Sequence, residues 1–191
     1  MSYQTIYIMK EIIVSLAIAL TISLGFAAKP AKSLKVGDSV PEFKIKDNSG
    51  QQIDIVKLSK KGPVLVRLTC GCLGCDKELP YFQAIHEAYK KQGLTSVAVF
   101  AEPDKKFAKY AKTKKLNMQY ALDPGKNSWE VFGTKTMPSN FLIEKGGKVV
   151  AISKGCDPSG LLLGNLGDKA ATLVKTDSVD IKGQVDKNKK Q

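Results

Sequence analysis

The chain has 191 residues, 43% of them hydrophobic, which suits one domain with its own core and is too short for two. Its 30 lysines and arginines outnumber 18 acidic residues, for a net charge of +12, yet only one of those cations, Arg67, is an arginine. Nucleic-acid readers lean on arginine forks, so that class is set aside; the lysines read as a solvated surface, with a second capacity to attract acidic partners or anionic headgroups.

Residues 1–28 have the layout of a secretory signal peptide. Lys10 precedes an apolar run from Ile12 to Phe26 interrupted only by Ser15, Thr21 and Ser23, and Gly25 and Ala27 stand at −3 and −1 for cleavage after Ala27. Met9 is an alternative start. Uncleaved, the run over 12–28 would be a membrane tether at the short end of what spans a bilayer, about 17 residues. No cysteine follows the run to carry a lipid. Either outcome puts the domain in a periplasmic or other extracytoplasmic compartment, where thiols are not kept reduced by default.

A polar linker, 29–35, leads into a domain over 36–174. Phe43 and Ile45, then Ile53 and Ile55, alternate with polar residues around Asn48-Ser49-Gly50, which predicts a β-hairpin. The run 63–68, PVLVRL, predicts a central strand buried on both faces. Leu79, Phe82, Ile85 and Tyr89 recur at helical spacing and stop at Gly93. Residues 96–102 give a second buried strand, 104–115 a basic amphipathic helix, QYALD a short strand and NSWEVFG a helical turn. SNFLIEKGGKVVAIS predicts a hairpin turning at Gly146-Gly147, and 161–174 a last helix weakened by Gly164 and Gly167. The lysine-rich, aromatic-free tail, 175–191, predicts disorder. Strands alternating with helices, closed by a hairpin, imply an α/β fold with a mixed sheet.

Four cysteines carry the chemistry: Cys70, Cys72, Cys75 and Cys156. Cys72-Leu73-Gly74-Cys75 is the spacing of a redox dithiol. Where the 63–68 strand gives way to a helix, Cys72 falls at the helix N-terminus, whose free N–H groups favour a thiolate, and Cys75 lies one turn in on the same face. This predicts Cys72 as the attacking thiol and Cys75 as the resolving one.

Together with Thr136-Met137-Pro138 before a strand, these residues resemble the thioredoxin superfamily, in its redoxin branch of exported, often membrane-tethered thiol-disulfide oxidoreductases and alkyl hydroperoxide reductase relatives. The stretches that match are VGDSVPEFKIKDNSGQQIDI, CLGC followed by KELP, TMPSNFLI and GGKVVAISKG, over roughly Leu34 to Val174. The resemblance implies a thioredoxin-like fold with an N-terminal β-hairpin extension, a cis Pro138, and substrate contacts from Thr136, Met137 and Pro138. It also implies protein thiol or disulfide substrates, a membrane electron-donor protein as partner, and no organic cofactor. Pro80 would be the helix kink that these proteins share.

Departures from the pattern narrow the expectation. Gly71 stands where the superfamily usually has Trp, Arg67 lies near the usual position of a buried acid, and Gly74 replaces a frequent Pro; Glu78 and Glu102 are the acids left to serve as proton acceptor. For Cys70 and Cys156 the expectation is a Cys70–Cys156 bond or relay, against the alternative that both are small buried hydrophobes. Two rival functions stay open: a peroxiredoxin-like peroxidase, disfavoured because no arginine follows Arg67, and a metal protein using Cys70, Cys72 and Cys75 to hold copper(I) or zinc. A third keeps the fold as a binding domain without activity. No metal site is assigned, and His86 is expected to face solvent.

Overall fold

The computed structural model describes residues 33–102 and 104–189, so the leader over 1–28 and most of the linker lie outside the described residues. A short hairpin, β1 (Lys44–Lys46) and β2 (Gln52–Asp54), pairs antiparallel with Ile45 opposite Ile53. Beyond it come β3 (Val64–Thr69), β4 (Thr95–Phe100), β5 (Gln119–Leu122), β6 (Ser139–Ile143) and β7 (Val149–Lys154), in the spatial order β5-β4-β3-β6-β7. β4 is parallel to both β3 and β5, while β6 runs antiparallel to both β3 and β7. The mixed sheet and its hairpin extension are those the sequence implies.

β3 is buried at every position because helices or loops cover both faces of the sheet. Its twofold alternation divides the core. Leu65, with Ala98, Phe100 and Leu142, joins Tyr81, Phe82, Ile85 and Tyr89 of α2 (Leu73–Tyr89) and Leu163 and Leu166 of α5 (Leu161–Leu173). Val64, Val66 and Leu68 face the other way, onto Phe43, Ile53, Ile55, Trp129 and Phe132. Each such fully buried aliphatic or aromatic side chain contributes about 1.5–3 kcal/mol relative to exposure, so the strand that leads into the cysteines is among the firmest pieces of the chain. α3 (Asp104–Thr113) and α4 (Asn127–Val131) complete the two layers.

Three expectations are corrected. Ile55 does not extend the hairpin but opens α1 (Ile55–Lys61), because the Asp54 side chain accepts the Lys57 N–H and caps a helix there. The tail is ordered: α6 (Ile181–Asn188) is capped by Asp180, and Ile181 and Val185, one helical turn apart, are buried against α2 and α5. The Tyr81 hydroxyl donates to Asp186 at 2.7 Å, and the Val179 N–H donates to the Tyr89 hydroxyl at 2.9 Å. Lastly, His86 is half-buried on α2, with Nδ1 unpartnered, and burial lowers its pKa. Among the described residues, no helix is long and apolar enough to cross a membrane.

Candidate active site

β3 ends at Thr69, and three residues later Cys72 is the N-cap of α2 in extended backbone (φ −89°, ψ 156°), with its carbonyl accepting the Asp76 N–H at 3.0 Å. Cys72 is exposed, Cys75 is buried at 2% exposure, and Cys70, on the β3–α2 turn, lies between these extremes. All four cysteines are free thiols. The sulfurs of Cys70, Cys72 and Cys75 lie within 4.8 Å of one another, and Cys70 Sγ is 3.3 Å from Cys75 Sγ.

The shifts of the first two thiols run in opposite directions. Hydrogen bonding from the Cys70 thiol lowers the pKa of Cys72; partial burial opposes this, and the Cys75 and Gly74 N–H groups at the helix start reinforce it. Burial pushes Cys70 up to about 12, aided by its hydrogen bonds with Cys72 and Cys75, so Cys70 stays a protonated donor while its neighbour ionises. The chain therefore places the Cys70 thiol as a donor beside the exposed sulfur, while Gly71 leaves the position of the expected aromatic without a side chain. The turn has little room for that aromatic: a Cβ at Gly71 would lie 3.3 Å from Glu102 Cγ and 3.5 Å from the Tyr110 ring.

Beneath Cys75 the floor is polar and buried. Arg67, 0% exposed, donates from Nη1 to Glu78 Oε2 at 2.7 Å and to Asn140 Oδ1 at 2.9 Å, and from Nη2 to the Cys75 carbonyl at 3.0 Å. Arg67 thus ties β3, β6 and the first turns of α2 together. Its use here removes it from the peroxide-holding role that the peroxidase reading needs. Glu78 is equally buried and keeps Oε1 without a protein partner, whereas Glu102 is half-exposed beside the turn. Asp76, in the first turn of α2, accepts from the Tyr110 hydroxyl and pairs with Lys114 at 2.7 Å.

The Met137–Pro138 peptide is cis. Register sets its place: Leu68 pairs with Ser139, so one further step along the ladder lays Pro138 beside Thr69, next to Cys70. Thr134 and Ser139 brace the loop, their hydroxyls 2.9 Å apart and Ser139 donating to the Thr136 carbonyl at 2.9 Å. Thr136 is exposed, Met137 half-buried and Pro138 buried. The Gly155 N–H donates to the Pro138 carbonyl at 2.9 Å, which brings the end of β7 over the loop.

Cys156 is not bonded to Cys70. Its exposed thiol donates to the Gly74 carbonyl at 2.7 Å, and burial, then the Glu78 charge, raises its pKa. Cys70 sits against Cys75 instead, so the bond form of the expectation does not describe the pair, and the exposed Cys156 is not a buried hydrophobe. The Arg67–Asn140 contact was also beyond the sequence reading; the signal available was a lone charged residue inside an otherwise apolar strand.

A mixed sheet with a dithiol at the start of the helix after β3 and a cis-proline loop beside it defines a thioredoxin-like oxidoreductase. The sequence profile of the AhpC/TSA family matches residues 36–152, and the chain belongs to that family. It is similar to "Thiol-disulfide oxidoreductase ResA" of Bacillus cereus, 31% identical over 145 residues that cover 75% of this chain and 83% of that one. The protein of the same name from Bacillus subtilis is 30% identical over 131 residues, covering 68% and 72%. Among solved structures, a thiol:disulfide interchange protein from Bacteroides sp. superposes with a TM-score of 0.62 at 25% identity, over 75% of this chain and 93% of its own.

Proposed function

We propose that the protein is an exported thiol-disulfide oxidoreductase that exchanges the Cys72/Cys75 dithiol with protein disulfides. The observation that carries the reading is the asymmetry of that pair: an exposed Cys72 of lowered pKa at a helix start, and a buried Cys75 whose sulfur lies within 4.8 Å of it. The Cys72 thiolate attacks a substrate disulfide, one substrate thiol leaves with a proton, and a mixed disulfide forms. Cys75 then attacks Cys72 Sγ, releasing the second substrate thiol and leaving a Cys72–Cys75 disulfide. A substrate segment would lie along Thr136, Met137 and Pro138. The leader over 1–28 and the resemblance support an extracytoplasmic setting, with a membrane electron-donor protein restoring the dithiol.

The test is a pair of variants against a disulfide-bonded protein substrate. Cys72→Ser should abolish exchange, and Cys75→Ser should accumulate a mixed disulfide at Cys72 that survives non-reducing electrophoresis; trapping at any other cysteine would overturn the assignment. Peroxide reduction should be slow, since Arg67 is committed to Glu78, Asn140 and the Cys75 carbonyl; a stopped-flow assay with hydrogen peroxide checks this. N-terminal sequencing of protein recovered from an exporting host, with cleavage after Ala27 expected, tests the leader.

A further inference from the structure

We propose that Cys70, Cys72 and Cys75 form, in the reduced protein, a three-sulfur site for copper(I), which closure of the Cys72–Cys75 disulfide dismantles. Copper binding needs only the three thiols; the dismantling step rests on the dithiol reading given above. A metal–sulfur bond of roughly 2.3 Å places sulfurs around one ion roughly 3.8–4.0 Å apart. The cluster brackets that spacing, from 3.3 Å between Cys70 and Cys75 to an outer limit of 4.8 Å.

Convergence of the sulfurs follows from the fold. Cys70 leaves the end of β3, Cys72 caps α2, and Cys75 lies one turn inside it. Gly71 lets the turn close against Glu102 and Tyr110. One sulfur is exposed, one intermediate and one buried, so an ion would meet solvent first at Cys72.

The donor set selects the ion. Three thiolates with no imidazole and no carboxylate exclude hard cations such as magnesium and calcium, which take oxygen. Zinc takes four ligands, so here it would need water or a partner's group beside the three sulfurs. Cys156 lies outside the cluster with its thiol on the Gly74 carbonyl, and His86 is half-buried more than two turns further along α2. Copper(I), a soft monovalent ion, is satisfied by three sulfurs. When the copper-bound Cys72 and Cys75 thiolates pass two electrons to a protein disulfide, their sulfurs join, and the substrate S–S bond breaks to two thiolates that take up protons from solvent. The copper keeps its oxidation state and is left with Cys70 alone, too few ligands to hold it.

The experiment is anaerobic titration of the reduced full chain with copper(I), against a chromogenic copper(I) chelator and against zinc, followed by sulfur-to-copper absorption in the ultraviolet. One copper(I) per chain is expected, with Cys70, Cys72 and Cys75 all protected from alkylation and Cys156 still modified. Cys70→Ser should weaken binding by more than about tenfold, and the chain oxidised to the Cys72–Cys75 disulfide should take up no stoichiometric copper. Absence of one-to-one uptake, unchanged binding in Cys70→Ser, or one-to-one zinc with no copper would each overturn the proposal. Should Cys70→Ser fail to fold, the alkylation pattern of the wild type decides alone. Disulfide exchange measured on the same preparation separates loss of this site from failure of the dithiol assignment.

Discussion

Cys70 and Cys72 are two positions apart, yet one thiol is held protonated and the other is eased into ionising. The difference follows from depth: a half-buried sulfur keeps its proton and donates it to the exposed one, which also receives the N–H groups at the start of α2. A lowered pKa means that the thiolate persists to lower pH, so reactivity is lost only as pH falls through the shifted value. In the metal-free reduced protein, residue-resolved iodoacetamide labelling should therefore show Cys72 half-reactive below the ordinary thiol pKa of about 8.5, with Cys70 inert there. Removing the donor should reverse the largest of these effects: Cys70→Ser is expected to move the Cys72 midpoint upward. A midpoint that stays put would show that the helix start alone activates the thiol.

The junction of β3 with α2 depends on one buried ion pair, Arg67 with Glu78, both side chains fully enclosed. Glu78→Gln leaves the guanidinium without a counter-charge and should cost about 3–5 kcal/mol, read as a fall in the urea midpoint, whereas an Arg67→Met/Glu78→Leu double variant should recover most of it. α6 invites a different test. Val185 is buried beside Ile181 against α2, so Val185→Asp puts an unpaired carboxylate in an apolar seam and should lower the melting temperature and release the tail to proteolysis near Val179. Gly160, which caps α5 at φ 76°, has the Tyr81 ring 2.2 Å from where a Cβ would be, so a side chain there would have to displace the buried Tyr81 ring or the start of α5. These elements also mark what was legible beforehand. β3 and α2 announce themselves through an apolar run and a repeat of 3 and 4, Cys72 and Cys75 through spacing, and Pro138 through the family resemblance. α6 was hidden because two buried residues in a lysine-rich stretch make a stripe too narrow to stand out from composition. α1 was hidden because Ile53 and Ile55 alternate like a strand while Asp54 caps a helix between them. The place of Cys70 beside Cys75 depends on how a strand end meets a helix start, which no periodicity records.

The chain carries a net charge of +12, and three of its lysines flank the site's elements in sequence. Lys77 follows Cys75 on α2, Lys135 precedes the cis-proline loop, and Lys154 ends β7 just before Cys156; all three are exposed. Exposed charges add little to stability, but their summed field raises the encounter rate with oppositely charged partners by about 10–1,000-fold at low salt. The field is screened beyond about 8 Å at physiological ionic strength, so its effect belongs to association and not to the sulfur chemistry. The second-order rate constant for exchange with an acidic disulfide-bonded protein should therefore fall as salt rises, while that with a basic substrate should hold level or increase. Reversing Lys77, Lys135 and Lys154 to glutamate should slow the acidic substrate by about tenfold or more at low salt and leave both proteins alike at high salt. The alkylation midpoint of Cys72 in the triple variant separates the two causes of slowing: if it rises in step with the rate loss, the lysines act on the thiolate itself, and if it stays fixed they act by steering the partner to it.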